Sequence, residues 1–211
     1  MNVKSRPVFL VPILGLGLLS GCASLQTTES GFLSDYSELK LDEDKPNCKI
    51  FVAEGLNIDS YGSVEVAPIL FSVPEAKLKR LNDEDVAKFS EESQVLIEDV
   101  FQGLVSGSES SATGDLVVKV AITDVDTVRV GVNAVAAVVA VPVDNGGVSV
   151  ELEILDKKTG RRLFALSGYE TGKIKQVGGF FSKLGHARAG LGKIAKNVVE
   201  MLEENLEPKA G

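Results

Sequence analysis

Apolar residues return along this chain in three rhythms, and each rhythm predicts a different kind of element. The first has a period of two. In residues 116–123, Leu116, Val118, Val120 and Ile122 face one way while Lys119 and Thr123 face the other, as in a half-buried strand. Residues 148–155 repeat the device, with Val148, Val150, Leu152 and Ile154 inward and Ser149, Glu151 and Glu153 outward. Asp156-Lys157-Lys158-Thr159-Gly160 then reads as a hairpin turn, because Gly160 takes a positive φ at no steric cost, and residues 162–167 return as the partner strand. Weaker alternation at 48–53 and 63–71 predicts two more strands; Pro68 has no N–H to offer a ladder and confines the second to an edge or a bulge.

The second rhythm is helical. In residues 82–104, Val86, Phe89, Leu96, Ile97, Val100, Phe101 and Leu104 share one face. Asn82 is placed to cap this helix, and Asp83, Glu84 and Asp85 sit where the helix dipole favours anions. Residues 185–206 carry a second stripe of Leu191, Ile194, Val198, Val199, Leu202 and Leu206, with Pro208 beyond its end. Residues 75–81 are charged and fit neither period, 106–114 is a serine- and glycine-rich loop, and Gly178-Gly179-Phe180-Phe181 is a loop carrying two aromatics. The sum predicts an α+β domain: a small, mostly antiparallel sheet with two long helices packed on one face, which buries both stripes together.

The third rhythm is an unbroken apolar run, and it occurs twice. Residues 8–19 follow Lys4 and Arg6 and lead into Leu19-Ser20-Gly21-Cys22. A basic start, a short apolar stretch and small residues before a cut make a secretory signal. The run falls short of the roughly 20 apolar residues that cross a ~30 Å hydrocarbon core. The second run, 131–143, is almost all valine and alanine around Asn133. It is long enough for one barrel strand of about 9–11 residues, but a pore needs a second such strand per copy, and no second strand of this kind stands out in the sequence. Cover by the rest of the protein or contact with a partner copy explains it better, and Val138 and Val139, with Phe180 and Phe181, are the candidate contact residues.

Leu19-Ser20-Gly21-Cys22 resembles the lipobox of bacterial lipoproteins. That resemblance implies cleavage between Gly21 and Cys22, a diacylglycerol on the Cys22 thiol and an acylated amine above it, a palmitate-bearing anchor assembled by the lipoprotein export and sorting machinery. Each buried CH₂ contributes about 0.8 kcal/mol, so one acyl chain holds weakly and several hold firmly. Ala23, rather than an aspartate, follows the cysteine, which by similarity to enterobacterial sorting directs the protein to the outer membrane, facing the periplasm. The expected organisation is signal peptide 1–21, lipidated start and acidic tether 22–47, a single periplasmic domain 48–206 and a tail 207–211. Within the tether, Gly31-Phe32-Leu33-Ser34-Asp35-Tyr36 holds enough apolar residues to pack on the domain.

Composition narrows the chemistry. The chain's formal charge of −8 becomes −10 once Lys4 and Arg6 leave with the signal, so nucleic acid is not an expected partner. Of two cysteines one is spent on lipid, leaving Cys48 to be buried as a small apolar residue or paired between chains. His186 is the only histidine, so the usual zinc sets are out of reach and a Ser-His-acid triad or a Cys48–His186 thiol pair would both depend on it. His186 sits beside Gly185 at a helix start and reads as a surface or capping residue. Asp42-Glu43-Asp44 and Asp83-Glu84-Asp85 read as a solvated tether and a charged helix start, not cation sites. Gly190-Leu191-Gly192-Lys193 lacks phosphate-loop spacing and reads as close helix packing, and Asp156 orders its turn. No metal or cofactor is expected, and no enzyme activity.

Several segments, 30–39, 60–68, 116–125 ending in Ile122-Thr123-Asp124-Val125, and 151–163 with Asp156 and Thr159-Gly160, together resemble the domain of unknown function 3313 family of bacterial lipoproteins over residues 30–206. The resemblance implies a lipid-anchored envelope protein and carries no activity. The expected role is therefore non-catalytic: binding an envelope protein or another copy of itself. The alternative is carriage of a small apolar ligand such as a lipid, in a pocket among Phe89, Phe101, Phe164 and Leu166.

Overall fold

The alternating segment around Val118 becomes a long inner strand of a mixed sheet. The computed structural model describes residues 29–79, 81–105, 114–127, 146–172 and 183–204. In chain order these form β1 (Lys40–Leu41), β2 (Cys48–Val52), β3 (Tyr61–Val66), β4 (Leu70–Phe71), α1 (Glu75–Leu78), α2 (Asp83–Val105), β5 (Gly114–Val125), β6 (Gly147–Asp156), β7 (Arg162–Thr171) and α3 (Gly185–Glu204). The strand order is β1-β2-β7-β6-β5-β3, with β4 beside β3 on the same border of β5.

The sheet is less uniformly antiparallel than its sequence suggests. Four pairings are antiparallel, but β3 and β4 both run parallel to β5. The reason is the helix between them. A parallel pair needs a crossover, and α2, at 23 residues, spans about 35 Å. That length carries the chain back along the sheet to enter β5 from the end at which β3 began. Pro68 lies in the break between β3 and β4, where Ala67 N–H donates to the Val118 carbonyl and Ser72 N–H to that of Ile122. Residues 75–81, ambiguous in sequence, begin with the single turn of α1.

The two stripes meet as expected. Phe89, Ile97 and Phe101 of α2 and Leu191, Ile194, Val198 and Leu202 of α3 share one core with Leu116, Val118, Val120 and Ile122 of β5, Val150, Leu152 and Ile154 of β6, and Phe164 and Leu166 of β7. Burying each such side chain contributes about 1.5–3 kcal/mol. Asn82 caps α2 by accepting from the Asp85 N–H at 2.7 Å. Helix α3 lies close on the sheet because Gly190 has no Cβ: one placed there would stand 2.7 Å from the Glu170 carbonyl oxygen. Gly190 thus serves close packing inside a helix, whereas at Gly192 a Cβ would meet only the Leu96 side chain at ordinary contact distance.

Candidate functional site

The face of the sheet turned away from the helices differs in kind from the core. Its strand register aligns Lys119 with Glu153, Ala165 and Phe51, and Ala121 with Glu151, Ser167 and Lys49. Alternation predicts that Glu151 and Glu153 point to water. The orientation holds but the exposure does not: Glu151 is 0 % and Glu153 6 % exposed. A carboxylate is buried only where partners replace its water. Glu153 has the ammonium of Lys119 at 3.2 Å. Glu151 has residues 29–38, which lie over it as a strap.

The strap is organised around two hydroxyls. Ser30 donates to Glu151 twice, from its N–H to Oε1 and from Oγ to Oε2, both at 2.8 Å. Tyr36 Oη donates to the same Oε2 at 2.6 Å and accepts the N–H groups of Gly31 and Leu33 at 2.9 and 3.2 Å. Burial and this donation to Glu151 raise the Tyr36 pKa, since both disfavour the phenolate. Gly31 turns the chain at φ +87°, where a side chain would be strained. Leu33 is buried, so the expected packing of 31–36 on the domain is what the structure has.

Ion pairs hold the strap at both ends. Glu29 meets Lys49 of β2 at 3.2 Å. At the other end Arg162 of β7 donates to the Asp35 carbonyl and to Glu38, each at 2.7 Å, while its guanidinium stands 5.0 Å over the Phe51 ring. The Ser37 N–H holds the Asp35 carboxyl below its usual pKa. Chemically this is a docking joint: both oxygens of a buried carboxylate are engaged by the chain's own hydroxyls and amide.

A second cluster sits at one end of the sheet. Lys77 lies 3.1 Å from both Asp124 and Asp126, and Tyr169 donates to Asp126 at 3.1 Å. Burial, then the charge of Asp126, pushes Tyr169 up to about 12. Here Asp126 N–H donates to the Gly147 carbonyl and Gly172 N–H to that of Gly146. The chain therefore leaves for 128–145, returns from it, and leaves for 173–182 at a single end of three adjacent strands. Of Lys77, Asp124, Asp126 and Tyr169 only Asp124 is picked out in the sequence, as part of the family-like segment 116–125, and none is singled out for chemistry. The pairing of three successive antiparallel strands is the signal that could have found them, because it sends both segments out together.

The remaining candidates separate. Cys22, Gly21, Val138, Val139, Phe180 and Phe181 lie outside the described residues. His186 is not a surface residue: it is 2 % exposed, and its Nδ1 donates to the Gly172 carbonyl. The reason is crowding, since Gly172 lies so close that a Cβ there would stand 2.0 Å from the His186 oxygen. Cys48 is buried, as one of its two readings anticipates, and burial lifts its thiol to about 11. It sits against Gly168, four positions along β7 from the partner of His186, roughly 13 Å away. The thiol and imidazole are not assembled as a pair. Asp156 orders its turn, accepting from Thr159 N–H and Oγ1 at 2.7 and 2.8 Å. Phe89, Phe101, Phe164 and Leu166 are all core residues, packed within the sheet–helix cluster. Among the described residues no three His, Cys, Asp or Glu side chains are grouped to hold a metal.

A family model described as a protein of unknown function, DUF3313, matches residues 28–198, a span that includes the strap and most of α3. No curated protein matches the chain. Among solved structures it is similar to the PelC dodecamer from Paraburkholderia phytofirmans, at 13% identity and a TM-score of 0.40, covering 76% of this chain and 98% of that one. It is also similar to lipoprotein GNA1162 from Neisseria meningitidis, at 16% identity and a TM-score of 0.29, covering 68% of this chain and 99% of that one.

Proposed function

Because the chain belongs to the DUF3313 family of proteins of unknown function, we propose a role built on contact: a lipid-anchored envelope protein that binds a protein partner or its own copies at the outer membrane, without catalysis. The anchor is acyl chains on Cys22 after cleavage behind Gly21, and the periplasm is its compartment. The contact residues are Val138 and Val139 of the apolar run and Phe180 and Phe181 of the aromatic loop.

One observation carries this reading. Strands β5, β6 and β7 are neighbours, so the two segments that hold all four apolar candidates begin and end at one end of the sheet. Two apolar patches far apart in sequence thereby start from a common base, which is what a single contact surface requires. The buried positions of Phe89, Phe101, Phe164 and Leu166 lend no support to an apolar-ligand pocket among them.

Light scattering of mature, lipid-free protein tests the self-association form. The wild type is expected to exceed a monomer's mass, and Val138→Asp with Val139→Asp to return it to one. A wild type that is already monomeric, with an unchanged double variant, removes self-association. Capture of an envelope partner that is lost with Phe180→Ser and Phe181→Ser would then be the remaining form of the proposal.

A further inference from the structure

We infer that the strap side of the sheet is held against the lipid surface, with α2 and α3 turned away from it. The inference rests on the proposed acylation of Cys22 and adds to it which face of the domain meets the bilayer.

The first argument is length. The strap is fixed to the domain from Glu29 and Ser30 onward, by Lys49 and by the buried Glu151. Only seven residue steps separate Cys22 from Glu29, and seven steps reach at most about 25 Å even fully extended. A chain of that length spans on average only about 15 Å. The strap lies on one face of the sheet and the helices on the other. The far side of the helix layer is therefore roughly 20 Å further from the anchor, a sheet-to-helix spacing plus a helix width. Were the strap free, the first paired residue would be Lys40 of β1, 18 steps from Cys22, with a reach of about 60 Å. The latch on Glu151 is thus what turns a loose leash into an orientation.

The second argument is charge, and it does not depend on the first. Helix α2 holds seven carboxylates, Asp83, Glu84, Asp85, Glu91, Glu92, Glu98 and Asp99, with Lys88 its own single cation; Lys183 and Arg188 reach it from outside to pair with Asp85 and Glu92, and the other five still outnumber Lys88. A membrane surface with anionic headgroups repels such a helix. On the strap side the acidic groups are offset: Glu29 by Lys49, Glu38 by Arg162, Glu153 by Lys119 and Glu65 by Lys157, while Glu151 is withdrawn from solvent. The strap side can approach the headgroups at lower electrostatic cost.

The experiment uses the acylated full-length protein in vesicles of phosphatidylethanolamine and phosphatidylglycerol carrying a headgroup quencher. Fluorophores are placed singly at Glu65→Cys, on the strap side by its pairing with Val117, and at Val95→Cys on α2, where the native side chain is 52 % exposed. Quenching at position 65 is expected to exceed that at 95 by about twofold, and inserting about ten glycine and serine residues between Ala23 and Ser24 to remove the difference. The insertion leaves the latch and the core intact. Equal quenching at the two sites, or stronger quenching at 95, overturns the orientation. The mass of the amino-terminal peptide separates the two levels: a protein without acyl chains sinks the anchoring proposal and the orientation with it, whereas an acylated protein with no side preference sinks the orientation alone.

Discussion

Tyr36 Oη and Glu151 Oε2 stand 2.6 Å apart although 115 positions separate them in the chain. The same hydroxyl gathers the N–H groups of Gly31 and Leu33, so one phenol closes the strap loop and fastens it to the central sheet. Tyr36→Phe removes all three bonds and leaves the carboxylate with fewer donors. Hydrogen bonds to charged groups contribute about 1.5–3 kcal/mol each, and the loss here is expected near the lower end because the strap can admit water. A lowered urea midpoint with faster proteolytic cleavage between residues 29 and 38 is the expected result. An unchanged cleavage rate would show that the strap is held by something other than this joint.

The glycines of α3 should respond unequally to a methyl group. At Gly190 a Cβ meets the Glu170 carbonyl oxygen at 2.7 Å and Val148 Cγ1 at 3.1 Å, whereas at Gly192 it meets only the Leu96 side chain, at 3.4 and 3.9 Å. Gly190→Ala is expected to cost about 1–3 kcal/mol through overpacking. Gly192→Ala should be neutral or slightly stabilising, since alanine favours helix. Thermal unfolding of the two variants side by side checks the contrast.

Much of this architecture could be read in advance, and what could not has a common cause. The alternation of Leu116, Val118, Val120 and Ile122 and the stripe of Leu191, Ile194, Val198 and Leu202 reflect burial against a continuous partner, which period alone reveals. Glu151 also obeys its period, but which layer covers that face is decided by a segment more than a hundred residues away. Gly31-Phe32-Leu33-Ser34-Asp35-Tyr36 was legible as a docking segment; its target and the part Ser30 plays were not, because a buried carboxylate and an exposed one look alike in a list of letters. The parallel direction of β3 and β4 was hidden for the same reason: it depends on where α2 delivers the chain. His186 read as a surface or capping residue because its burial comes from Gly172, whose closeness no local pattern announces.

Alkaline pH should weaken the fold in two steps. Burial raises the Cys48 thiol from 9.0 to about 11, and Tyr169 rises from 10.0 to about 12 through burial and then Asp126. In each window the folded state keeps a proton that the unfolded state has lost, so stability is complete below the unfolded value and falls as pH rises through the folded one. Urea midpoints are expected to decline from about pH 9 upward. Cys48→Ala should flatten the first part of that decline and Tyr169→Phe the second. A decline that neither variant alters would place its origin elsewhere.

Cys22→Ser tests the anchor with no demand on the folded domain. The variant is expected to leave the detergent phase on partition and to appear in the soluble envelope fraction, with an unchanged unfolding midpoint for the domain. Continued membrane fractionation would mean that a part of the chain other than the acylated cysteine holds it there.

The borders of the sheet constrain how copies can meet. One border is β1, only two residues long, and the other is divided into β3 and β4 by a gap containing Pro68. Among the described residues an incoming strand from a neighbour would find no long, continuous row of unpaired amides to template on, and interrupted borders of this kind are how natural sheets resist edge-to-edge stacking and fibril growth. Copies of the chain brought close together are thereby kept from polymerising through these strand borders.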